Sequence, residues 1–462
     1  MSVRLNDLGK AVRETQYAVR GPIVSRAADL EREGRDIIYC NIGNPQSLGQ
    51  KPLTWVRQIL AITEYPDLLE GGSGLFPSDV LETARLIIEK SKYGLGAYTE
   101  SKGLRFVREA VADFIERRDG ITADPETIFL TDGASKGVQT ALEVLISSDH
   151  DGIMVPIPQY PLYSATIALY GGRRVDYLLE EKSGWTLTRD QLEDAYQKAG
   201  QAGIRVRALC VINPSNPTGA VLDEREIGMV MEFAVKHRLT LLADEVYQDN
   251  IYRPSDRFIS FAKILETSNI RDVSLFSFYS CSKGLLGECG HRGGYFECRN
   301  IPDDVLAEIT KLQSVSLCAN TVGQILTFLM VTPPKPGHPS FDNYIRERAA
   351  ILESLRIRAG IVADGLNRVP GMSCQQVAGA MYAFPQITLP AGMTDDEYCL
   401  RLLEETGICV VPGSGFGQAP GTFHFRMTIL PPTDVLKSVV DKLARFHLTV
   451  SEGVSQPGVR RP

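Results

Sequence analysis

Short, almost wholly apolar runs alternate with helix-like segments through the middle of this chain. That alternation limits the fold more than any other feature. TIFLTDG precedes the helical pattern ASKGVQTALEVLISS, and GIMVPIP precedes QYPLYSATIALYG. RALCVINP precedes a helix built around REIGMVMEFAVKH, and LTLLADE and VSLFSFY come after it. A strand covered on both faces reads as a continuous apolar run, and strands that alternate with helices pair in parallel. The expected fold class is α/β, with a mostly parallel sheet under helices on both faces.

A second unit is expected after it, because 462 residues exceed one ordinary core. The segment TPPKPGHPS, 332–340, holds four prolines, which forbid a helix and mark a boundary. Beyond it, apolar residues recur at helical spacing from Tyr344 to Asn367. AMYAFPQI, ICVVPGSG and TFHFRMTIL then read as strands, giving a smaller α+β unit. The first seventy residues lack a sheet of their own and are expected to wrap onto another part of the molecule or onto a partner chain. The expected division is 1–70 as an arm and part of the small domain, 71–335 as the large domain, 336–450 as the small domain, and 451–462 as a disordered tail.

Forty-nine basic residues stand against 56 acidic ones, a net charge of −7. That balance argues against nucleic acid or an anionic membrane as a partner, so a bound anion needs a local site. The nine cysteines are odd in number and include no CxxC, which points to free thiols in a reducing compartment and to no metal site. No apolar run reaches membrane-spanning length, and the first twenty residues lack the apolar core of a secretory leader. The cytoplasm is the expected location.

In open α/β sheets, ligands collect at the carboxyl ends of the strands. The residues placed there are Gly133-Ala134-Ser135, Gln159-Tyr160, Asn213 to Pro217, Asp244 to Tyr247, and Ser280 to Lys283. Five strands thus deliver polar or reactive groups to one edge. Gly133, Ala134 and Ser135 suit a phosphate at a helix N-terminus, or an ordinary helix start. Ser280, Lys283 and Arg292 add a hydroxyl and two cations. Lys283 is either a solvated charge or an amine that bonds covalently to a carbonyl cofactor. Asp244 caps a helix, or it faces the ring nitrogen of pyridoxal phosphate, which needs a negative partner to stay protonated. Tyr247 and Asn216 suit the ring's phenolic oxygen, and Tyr160 suits its face. Asn216 also fits a plain proline-rich turn, and Tyr160 fits core packing. Arg426 lies within the apolar strand pattern HFRMTIL, where it needs a structural ion pair or a bidentate carboxylate ligand.

NPSNPTG, ADEVY, a serine-rich SKG followed by an arginine, and an HFR strand occur in that order. This pattern resembles the fold-type I, class I/II aminotransferases, which use pyridoxal phosphate. The likeness is closest to the alanine aminotransferases, through YAVRGPI, NIGNPQSLGQKPLTW, LLADEVYQDNIY, SKGLLGECGHRGGY, KLQSVSLCAN and ICVVPGSGFGQAPGTFHFRMTIL. It spans about Tyr17 to His447.

The resemblance implies that Lys283 anchors the cofactor covalently and moves the substrate proton. Asp244 would pair with the ring nitrogen, Asn216 and Tyr247 with the phenolic oxygen, and Tyr160 with the ring face. Ala134, Ser135, Ser280 and Arg292 would hold the phosphate, with Tyr98 reaching the phosphate of the neighbouring subunit of a homodimer. Arg426 would clamp the substrate α-carboxylate, with Gly43 nearby. The implied reaction is L-alanine plus 2-oxoglutarate giving pyruvate plus L-glutamate, by a ping-pong mechanism. Related transaminases of glutamate:glyoxylate or aspartate/aromatic type, or a lyase on the same fold, are the alternatives. A regulator reusing the fold would carry a DNA-binding helix-turn-helix extension, and the N-terminal arm here is short and not basic overall.

Overall fold

The computed structural model describes residues 3–17, 21–71 and 74–452. In chain order its strands are β1 (Ile38–Tyr39), β2 (Ile128–Asp132), β3 (Asp151–Ile157), β4 (Arg173–Leu178), β5 (Arg205–Ile212), β6 (Thr240–Asp244) and β7 (Leu275–Ser280). They continue with β8 (Gly293–Arg299), β9 (Met372–Ser373), β10 (Tyr382–Ala383), β11 (Gln386–Ile387), β12 (Ile408–Cys409), β13 (Val411–Pro412) and β14 (Phe425–Thr428).

Seven strands form the main sheet in the order β2-β8-β7-β6-β5-β3-β4. The pairs β3–β4, β3–β5, β5–β6 and β6–β7 are parallel. β8 runs antiparallel to both β2 and β7, so those two point the same way. The sheet is therefore mainly parallel, and β2, β3, β5, β6 and β7 all end at one edge.

Period-2 alternation sends successive strand residues to opposite faces. Leu130, Met154, Leu209, Val211 and Leu241 join one apolar core, under the helices Arg105–Asp119, Glu224–His237 and Thr321–Val331. Phe129, Ile153, Val155, Cys210 and Leu242 join the other, under Ala134–Leu145 and Leu162–Leu169.

A separate core gathers the long helix Phe341–Leu366, the helix Asp395–Thr406, the closing helix Thr433–Glu452 and the short strands β10, β12 and β14. Two N-terminal pieces belong to it. The helix Pro22–Arg32 buries Ile23, Ala27 and Leu30 there. β1 pairs in parallel with β12, so the first seventy residues do contribute a strand. The helix Thr54–Glu64 differs from the expected division. Its buried residues Trp55, Val56, Ile59, Leu60 and Ile62 form one face at helical spacing and pack in a sheet core. Most of the expected tail, 453–462, lies outside the described residues, as do 18–20 of the YAVRGPI motif. Among the described residues no helix is long and apolar enough to cross a membrane.

Candidate active site

At the carboxyl edge of the main sheet lies a cavity of about 130 Å³. Ala134, Ser135, Tyr160, Asn216, Asp244, Tyr247, Ser280, Lys283 and Arg292 all line it. Residues far apart in the chain meet here because each lies at or just beyond the end of a strand, apart from Arg292, which enters with β8.

One end of the cavity is built for an anion. Gly133 turns the chain from β2 into the helix Ala134–Leu145 with φ +73°, in the left-handed region that favours glycine. A Cβ at Gly133 would stand 2.4 Å from Arg292 Nη2, so no side chain fits between helix start and guanidinium. Arg292 donates through Nη1 to Cys289 O at 3.0 Å and through Nη2 to Asp132 O at 3.1 Å. Its own backbone is left-handed, with φ +56°. Neutral oxygens thus hold the guanidinium beside the N-terminus of a twelve-residue helix, and both favour an anion. Ser280 and Ser282 are buried beside it, with Ser282 N donating to Ser280 Oγ at 3.4 Å.

The floor holds a buried acid. Asp244 ends β6 at 4 % exposure and accepts from the Tyr163 hydroxyl at 3.1 Å and from Val246 N at 3.4 Å. Burial pushes its carboxyl up to about 6, against the opposing pull of Tyr163, the Val246 amide and Lys283. A cationic ring nitrogen is the partner such a carboxylate lacks.

Lys283 Nζ donates to Gly43 O at 2.5 Å and stands 6.0 Å from the centre of the Tyr247 ring. Arg426 is 1 % exposed. It donates to Asn216 Oδ1 at 3.1 Å and to Asn41 O at 2.6 Å, both neutral oxygens, and its Nε has no partner among the described residues. The structural ion pair that a buried arginine calls for is therefore not what holds it, and a carboxylate ligand would supply the missing charge.

A model of the family described as aminotransferase class I and II matches residues 60–443. This chain belongs to that family. A probable mitochondrial alanine aminotransferase of Dictyostelium discoideum is 48 % identical over 96 % of this chain and 89 % of its own length. Glutamate–glyoxylate aminotransferase 1 of Arabidopsis thaliana is 49 % identical over 95 % of each. Human alanine aminotransferase 1 is 47 % identical over 96 % of this chain and 94 % of its own length. Among solved structures, an alanine aminotransferase from Pyrococcus furiosus superposes with a TM-score of 0.80 at 26 % identity, covering 96 % of this chain and all of its own.

The cofactor of this aminotransferase is pyridoxal phosphate, and the residues present fit it. A dianionic phosphate suits the helix start with Ser135, Ser280 and Arg292, a pyridinium suits Asp244, and an aldehyde suits the Lys283 amine. Tyr98 does not join them within one chain, since its side chain is 78 % exposed. Gly43 and Arg426 adjoin the cavity through their bonds to Lys283 and Asn216.

Sequence reasoning missed several residues of this aminotransferase site. Tyr163 supports Asp244 from the helix Leu162–Leu169, just beyond the strand-end window. Cys289 lines the cavity beside Lys283 and Arg292, as does Ser282, which the sequence places at the strand end without a role. Tyr382 enters from β10, where AMYAFP reads simply as a strand. Tyr17, from the N-terminal arm, pairs its hydroxyl with that of Tyr160 at 2.8 Å.

Proposed function

We propose that this aminotransferase exchanges an amino group between L-alanine and 2-oxoglutarate, giving pyruvate and L-glutamate in two half-reactions at one site. The observation that carries the reading is near half identity, over nearly the whole chain, to relatives named alanine aminotransferase. The geometry supports it. Arg426 and Asn216 would bind the α-carboxylate that every amino acid and 2-oxo acid substrate shares.

The bound cofactor supplies an electron sink for the Cα carbanion. The protein supplies the rest. Asp244 would keep the ring nitrogen protonated, and Asn216 and Tyr247 would hold the phenolic oxygen. Tyr160 would cover the ring face, and Ala134, Ser135, Ser280 and Arg292 would hold the phosphate. Lys283 Nζ would accept the proton from Cα and later give it up, acting as general base and then acid.

The Arabidopsis relatives named glutamate–glyoxylate aminotransferase, at 49 % identity, favour glyoxylate as a second acceptor. An assay with purified protein, alanine or glutamate as donor and 2-oxoglutarate, pyruvate or glyoxylate as acceptor, tests both readings. Aspartate, tyrosine and serine as competing donors test the aspartate/aromatic and lyase alternatives.

We also propose a homodimer whose Tyr98 reaches the partner's phosphate. Tyr93 and Tyr98, 72 % and 78 % exposed, leave a large aromatic surface for a second copy to cover. A monomeric mass by light scattering at micromolar concentration would count against it. The two-part division, with Pro22–Arg32 and β1 joining the C-terminal unit, rests on the separate cores. Nine free thiols suit a reducing compartment, and we place the protein in the cytoplasm. Several relatives are named mitochondrial, so cell fractionation tests that placement.

A further inference from the structure

The Tyr382 hydroxyl lies where three parts of the site meet. Beneath Arg426, the Tyr382 ring receives the guanidinium with its carbon 4.1 Å from the ring centroid. Tyr247 Oη donates to Tyr382 Oη at 3.5 Å, and the two rings meet edge to face with centroids 6.1 Å apart. Across from it is Gly43. A Cβ there would stand 1.8 Å from the Tyr382 hydroxyl oxygen and 3.0 Å from Lys283 Nζ. Glycine at 43 thus leaves the phenol and the amine room to share one small space. The Lys283 amine donates to the Gly43 oxygen and lies beside the phenol across this space. Burial opposes ionisation of the Tyr382 hydroxyl, but the Lys283 and Arg426 cations prevail and hold it below the ordinary tyrosine range.

A lysine amine sits on a four-carbon stem with many rotamers. When it is not covalently held, it transfers a proton efficiently only if something fixes it near the reacting carbon. Two oxygens flank the amine here, the Gly43 carbonyl and the Tyr382 phenol. The carbonyl only accepts, whereas the phenol also donates, so it serves the amine in both protonation states.

We propose that Tyr382 is a positioning residue for Lys283. Its hydroxyl, with Gly43 O, holds the released amine at the point from which it exchanges a proton with the substrate. Supporting Arg426 is a separate task, which the ring performs without the hydroxyl.

That separation makes the proposal testable on the cofactor-loaded enzyme. It rests on the aminotransferase reading. Tyr382→Phe keeps the ring and removes the hydroxyl. The expected result is a fall in kcat of about tenfold or more with KM for alanine changed by no more than about twofold. The Cα-deuterium isotope effect on alanine turnover should rise, because proton transfer becomes slower. With the cofactor supplied in its amine form, which leaves the Lys283 amine free, the pH titration of the bound cofactor's absorbance, recorded with no amino acid present, should shift its midpoint by about half a unit or more. Tyr382→Leu, which also removes the ring, should add a rise in KM. A Phe variant with wild-type kcat, isotope effect and titration would overturn the proposal. So would a pair of variants that change KM alone, since Tyr382 would then be a support for Arg426 and nothing more. The titration needs no substrate, so a failure there is distinct from a failure of the alanine assignment.

Discussion

The Tyr163 hydroxyl donates to Asp244 Oδ2 at 3.1 Å, and both groups are buried beneath the cavity floor. The bond fixes the carboxylate's orientation while leaving its charge unpaired. Asp244→Asn is isosteric but carries no charge, so a ring nitrogen above it loses its reason to stay protonated. The variant should keep bound cofactor, measured by absorbance after gel filtration. Its kcat should fall by about 10²-fold or more, the scale of losing one preorganised electrostatic partner. Turnover within about tenfold of wild type would remove Asp244 from that role.

Lys283→Ala removes the proposed covalent anchor and proton carrier. Transamination should fall by at least about 10²–10⁴-fold, the usual share of a positioned acid–base group. Cofactor should remain, but loosely, and dialysis should strip it faster than from wild type. Normal turnover in this variant is incompatible with the site described.

Arg426→Lys keeps a positive charge and loses the planar fork. The two bonds to Asn216 and Asn41 would no longer orient it. A charged hydrogen bond contributes about 1.5–3 kcal/mol, so kcat/KM for alanine should drop roughly 10- to 10²-fold. The loss should appear in KM as well as kcat, because substrate and transition state both carry the α-carboxylate.

Much of this site is legible in the sequence because parallel strands are apolar and end at one edge. β2, β3, β5, β6 and β7 announce themselves as apolar runs, and each leads directly into a site residue. β8 does not, because GGYFECR carries two glycines and the buried Glu297 and Arg299, which pair at 2.6 Å. β4, RRVDYL, is also hard to see among apolar runs, although its alternating exposed and buried residues mark it as an edge strand. Tyr163, Tyr17 and Tyr382 are illegible for another reason. Each reaches the site from an element whose own periodicity is satisfied by packing, and only tertiary structure aims its hydroxyl. Tyr98 comes from family likeness alone, and one chain leaves it in solvent.

Glu245 gives a pH prediction that concerns folding. It is buried beside Arg118, Asp119 and Glu297, and its carboxyl accepts from Phe261 N at 2.8 Å. Burial raises it from an ordinary 4.5 to about 8, even though Arg118 pulls the other way. A carboxyl raised on folding is protonated in the folded chain and ionised in the unfolded one. Its stabilising contribution is therefore complete below pH 4.5 and is lost as pH rises through 8. Urea unfolding of the cofactor-free protein should show stability falling between about pH 6 and 8, by at most about 1.4 kcal/mol per pH unit. Glu245→Gln should flatten that slope. A slope unchanged in the variant would assign it to other groups.

If a single site built on Lys283 moves the amino group of alanine to 2-oxoglutarate, pyruvate and glutamate must form together. The most direct test measures both products from those two substrates, with wild-type protein and Lys283→Ala side by side. Equimolar formation of both products by wild type, with parallel double-reciprocal lines and none above background in the variant, is the expected result. Wild-type protein that makes no pyruvate from alanine while transferring amino groups from another donor would contradict it.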